Sequence, residues 1–83
     1  SQLPVLRFGS FEPLDVGSGY VLAFKRELDG ARAYVVVNYA DSPQRISLPE
    51  QARVVASTSR LVSFEQKTIG VDLGAHEALL LMV

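Results

Sequence analysis

Between Gly19 and Ala40, apolar residues occupy both alternating positions of two β-rich runs separated by Asp29-Gly30. Both turn residue types tolerate positive φ, so the pair predicts a two-residue β-hairpin turn. Folding about Asp29 and Gly30 pairs Leu28 with Ala31, Glu27 with Arg32, Phe24 with Val35, Leu22 with Val37 and Tyr20 with Tyr39. One face is then Tyr20, Leu22, Phe24, Val35, Val37 and Tyr39, the expected core face. The other carries Val21, Ala23, Lys25, Glu27, Arg32, Tyr34, Val36 and Asn38. It is polar near the turn and apolar at its far end, whereas an isolated antiparallel sheet is expected to keep its solvent face polar. Val21, Ala23, Tyr34 and Val36 are therefore the expected interdomain packing residues.

The rest of the chain also reads as strands. Residues 5–8 form a short apolar run, and residues 11–16 contain Pro13, which confines them to an edge strand or an extended loop. Gly17-Ser18-Gly19 is a turn. Residues 44–48 alternate, residues 53–56 form a further strand, and residues 61–64 and 68–73 read as a second hairpin. Residues 76–83 close the chain, apolar on both faces from Ala78 and hence central or covered. No stretch has a helical period. The pattern predicts an all-β fold, an antiparallel β-sandwich of about eight short strands in a single domain over residues 1–83.

Four segments, in order, resemble the C-terminal β-domain of the α-amylase family (glycoside hydrolase family 13), of the α-glucosidase, oligo-1,6-glucosidase and trehalose-synthase type. Leu6-Arg7-Phe8-Gly9 followed by Phe11 is similar to that domain's opening segment. Val21-Leu22-Ala23-Phe24-Lys25-Arg26 resembles its next strand, and Tyr34-Val35-Val36-Val37-Asn38-Tyr39-Ala40 the strand after it, followed by Ile46-Ser47-Leu48-Pro49. The end, from Leu73 to Leu80, resembles the closing strand, with Ala75 where proline is usual and His76 where an aromatic is usual. The resemblance implies a domain without catalytic residues. In that family two aspartates and a glutamate do the chemistry on an upstream (β/α)₈ barrel, which a chain of 83 residues is too short to contain. It also implies that the chain is the C-terminal piece of a larger enzyme, with the catalytic barrel of the same polypeptide as its partner.

Candidate chemistry does not displace that reading. A retaining glycosidase needs two carboxyls about 5 Å apart, one of them with a raised pKa. Glu27, Asp29, Asp41, Glu50, Glu65 and Asp72 instead read as solvated charges at turns and strand ends. His76 is the only histidine and there is no cysteine, so no zinc-ligand set is expected and no cofactor is called for. Gly17-Ser18-Gly19 precedes a strand and not a helix, which removes the phosphate-cradle reading. Asn38, the only asparagine, is expected to bond the backbone of the following Asp41-Ser42-Pro43 turn.

A net charge of −1 lacks the basic footprint of a nucleic-acid or anionic-membrane binder, and no apolar run reaches a membrane span. The absence of cysteine fits a reducing, cytoplasmic setting. Ser1 in place of Met fits a segment of a longer protein. A chain of this size buries roughly 60–65% of its unfolded surface, so its core is thin. Besides the accessory domain, two readings stay open: an independent module that binds α-glucan, and a small self-associating scaffold. The first wants flat exposed rings. There is no Trp, and Tyr34 is the one ring expected on the outer face.

Overall fold

Asp29 and Gly30 both adopt positive φ, 54° and 81°, and join two eight-residue strands with no residue unpaired beside the turn. This hairpin belongs to a computed structural model that describes residues 10–63 and 65–83. Its register matches the sequence expectation pair by pair, from Leu28 opposite Ala31 to Leu22 opposite Val37. The ladder continues beyond the strands, where the Tyr39 N–H donates to the Tyr20 carbonyl at 2.9 Å.

Six strands are present among the described residues: β1 (Ser10–Leu14), β2 (Val21–Leu28), β3 (Ala31–Asn38), β4 (Gln44–Ser57), β5 (Thr68–Leu73) and β6 (Ala78–Met82). They lie in the order β1-β2-β3-β6-β4-β5, with every neighbouring pair antiparallel. Among the described strands β1, which contains Pro13, lies at one edge, and the apolar β6 runs through the middle between β3 and β4.

The count differs from about eight for identifiable reasons. The expected strand at residues 5–8 lies outside the described residues. The runs at 44–48 and 53–56 are one continuous strand, β4. The expected hairpin of residues 61–64 with 68–73 does not form: residues 61–63 are not strand, Phe64 lies outside the described residues, and β5 pairs with β4 instead.

β4 produces the two layers. Its pairing with β5 slips between Ser47 and Ala52, around Pro49, and its pairing with β6 slips at Val55. Such irregularities bend and twist a strand. The C-terminal part of β4 extends the main sheet beside β6. Its N-terminal part and β5 supply Ile46, Leu48, Val71 and Leu73 to a core shared with the main sheet. From that sheet come Val21, Ala23, Tyr34, Val36, Leu79 and Leu81. Each fully buried Val or Leu side chain contributes about 1.5–3 kcal/mol relative to exposure.

The inward face is thus the one expected to point outward. Val21, Ala23, Tyr34 and Val36, expected at an interdomain contact, are core residues of this domain. Tyr20, Leu22 and Tyr39, expected in the core, are exposed, while Phe24, Val35 and Val37 are half-buried on the outer side. The physical reason is which side β4 and β5 fold across, a long-range event that the alternation of the hairpin does not determine.

Candidate functional site

Strand register places the outward residues of the main sheet in rows. Tyr20 and Tyr39 stand at one end. Next come Leu22, Val37 and Ala78. The central row runs Pro13, Phe24, Val35, Leu80 and Ala56 across five strands. The last row is Arg26, Ala33, Met82 and Arg53. Tyr20 is 62% exposed, Tyr39 51%, Leu22 43% and Leu80 37%. A contiguous apolar surface spanning several strands is the kind that marks an interaction site. The two-faced apolar character read in the hairpin therefore holds, with the faces exchanged.

Polar groups identify the inner face more clearly than hydrophobicity does. Tyr34 is buried, and its hydroxyl donates to Glu50 at 2.6 Å. Arg32 grips the same carboxylate through Nε and Nη2 at 2.7 and 2.8 Å. The expected cross-strand partner of Arg32, Glu27, is farther away at 3.9 Å. Hydrogen bonds from Arg32 and then Tyr34 hold the Glu50 carboxyl down at about 2, against the desolvation there. Burial, followed by the bond to Glu50, pushes the Tyr34 phenol up to about 12.

Asn38 is 1% exposed. Its Nδ2 donates to the carbonyls of Ser42 and Gly74 at 3.0 and 2.9 Å, and its Oδ1 accepts from the Ala40 N–H at 2.8 Å. It ties the turn after β3 to the one before β6. A buried amide gains from such complete satisfaction.

Glu77 is a buried carboxylate that sequence reasoning missed. Its Oε1 accepts from the Gly74 N–H at 2.8 Å, and its Oε2 accepts from Ser57 Oγ at 2.5 Å and Arg60 Nε at 3.2 Å. Burial works to raise its pKa. The bonds from Ser57 and Gly74, with the Arg60 charge, outweigh burial and leave it below the usual carboxylate range. Only its placement between Ala75-His76 and the apolar final run could have signalled the role. His76 itself is exposed, sits at φ 58°, and contacts Asp41 at 2.7 Å.

These arrangements bear on chemistry. Glu50 and Glu77 are both held in the charged form by structural hydrogen bonds, whereas a general acid requires a raised pKa. Among the described residues, no group of three or more His, Asp or Glu gathers in a way that could hold a metal ion.

No protein-family model and no curated protein sequence matches the chain. Solved structures do. The trehalulose synthase MutB from Pseudomonas mesoacidophila MX-45 superposes with a TM-score of 0.80 at 23% identity, over 98% of this chain and 15% of that one. A MutB variant soaked with trehalulose gives 0.82 and 24% over the same shares. Another, in complex with the substrate sucrose, gives 0.79 and 24% over 96% and 15%. At this identity the likeness is one of fold. The chain spans about 15% of the length of these neighbours, so its fold is one that also occurs as a small part of a much longer enzyme chain.

Proposed function

We propose that these 83 residues form the non-catalytic, C-terminal accessory domain of a cytoplasmic glycosidase or glucosyl transferase of the α-amylase family. In this reading the outer sheet face seats on the catalytic (β/α)₈ barrel of the same polypeptide, stabilising the barrel and shielding apolar surface. The parent acts on α-glucosidic carbohydrates. The observation that carries the proposal is the outward apolar face, on which Leu22 and Leu80 are exposed and Phe24 and Val35 half-buried between them. The fold shared with a trehalulose synthase and the ordered resemblance along the sequence support it.

Leu80→Asp tests it. The substitution puts a charge on the outer face and removes nothing from the core. The isolated 83-residue chain should melt as before to within about 1 kcal/mol, the span of β-propensity effects. The full-length gene product should lose stability. Equal effects in both settings would contradict the docking role.

One observation favours a second reading, a module that binds α-glucan on its own. Tyr20 and Tyr39 stand side by side with exposed rings, a wider platform than the single ring the sequence suggested. Titrating the chain with maltooligosaccharide separates the two. Saturable binding abolished by Tyr20→Ala with Tyr39→Ala supports the module, and no binding removes it.

A further inference from the structure

The outer face has a polarity of its own. The chain has nine acidic residues and a net charge of −1, yet none of the described outward positions of the main sheet carries a carboxylate. The charges there are Arg26 and Arg53, which flank Ala33 and Met82 in one row across β2, β3, β6 and β4. Three interstrand spacings separate them, roughly 14 Å between their Cα positions. The opposite end is Tyr20 and Tyr39, so the face runs from phenol through aliphatic to guanidinium along the strands.

We propose that the surface covering this face is apolar at its centre and presents two carboxylates, set roughly 14 Å apart, over Arg26 and Arg53. The inference rests on the docking reading above and fixes the orientation of the partner on the face. Both arginines already have partners within the domain. A guanidinium has five donors, which leaves capacity for another carboxylate. The alternative occupants fit less well. A second copy would bring the same carboxylate-free face and the same cations. A neutral sugar on the tyrosines would occupy one end of the face and leave the arginine row outside the contact. Closing the face removes water from these charges, and desolvated opposite charges across an interface fix register and exclude wrong partners.

The test uses the full-length gene product beside the isolated chain, with the double variants Arg26→Glu/Arg53→Glu and Arg26→Lys/Arg53→Lys. Two quantities are read: the melting midpoint, and hydroxyl-radical oxidation of Met82, which lies between the arginines. Charge reversal should lower the midpoint more in the full-length protein than in the isolated chain and should increase Met82 oxidation several-fold. The lysine pair should stay near wild type. If reversal leaves Met82 protected while Leu80→Asp still releases the domain, the acidic counterpart is wrong and docking stands. If Met82 is oxidised equally in the full-length and isolated proteins, both fail. A concentration-dependent dimer of the isolated chain that protects Met82 would assign the face to a second copy and overturn the proposal.

Discussion

Leu80 and Leu81 are consecutive and chemically identical, yet Leu81 is completely buried while Leu80 is 37% exposed. One step along β6 separates the core from the outer face. Leu81→Ala should cost about 2–5 kcal/mol, the range for truncating a packed leucine. Leu80→Ala in the isolated chain should cost under about 1 kcal/mol, since surface changes are usually small. Chemical denaturation of both variants checks this, and similar costs would mean that the faces are misassigned.

Asn38 joins two turns through three hydrogen bonds. Asn38→Ala leaves two carbonyls and one N–H without that partner, on the exposed Ser42 and Gly74 and the half-buried Ala40. The expected loss is about 1–3 kcal/mol for each buried group left unsatisfied, lower where water enters. Asn38→Asp should be no better, because a carboxylate cannot donate to the Ser42 and Gly74 carbonyls. Thermal melting of the two variants reads this, and a near-neutral Asn38→Asp would contradict the donor assignment.

The Arg32–Glu50–Tyr34 cluster gives stability a pH dependence at both extremes. Glu50 has a depressed pKa, so its contribution is present above the ordinary value of 4.5 and is lost as pH falls toward about 2. Tyr34 is raised, so its contribution is present below 10 and is lost as pH rises through about 12. Glu50→Gln should flatten the acid limb between pH 4.5 and 2. Tyr34→Phe should flatten the alkaline limb between pH 10 and 12. Melting across pH tests both, and an unchanged acid limb in Glu50→Gln would remove Glu50 as its source.

Much of the fold is local and was legible. The Asp29-Gly30 turn sets the hairpin register because two positive-φ positions admit few alternatives. Pro13 marked an edge strand because it lacks an N–H to share. What could not be read locally was β4, whose slips around Pro49 and Val55 carry one strand into two layers. That bend decides which hairpin face is covered, so hydrophobicity alone assigned Tyr20, Leu22 and Phe24 to the core. Small Val21 and Ala23 fit beneath a closely packed layer, and Tyr34 and Asn38 have polar atoms with partners waiting there. Side-chain volume and polar accounting across the two faces were the usable signals.

The docking role requires that the outer face be covered in the intact protein. Tyr20 and Tyr39 report on it directly, being open in this domain. Hydroxyl-radical labelling of these two tyrosines should be compared between the isolated chain and the full-length gene product. Strong labelling is expected in the isolated chain, with several-fold protection of both rings in the full-length protein. Equal labelling in the two would show that the face stays open to water, and the docking role would be contradicted.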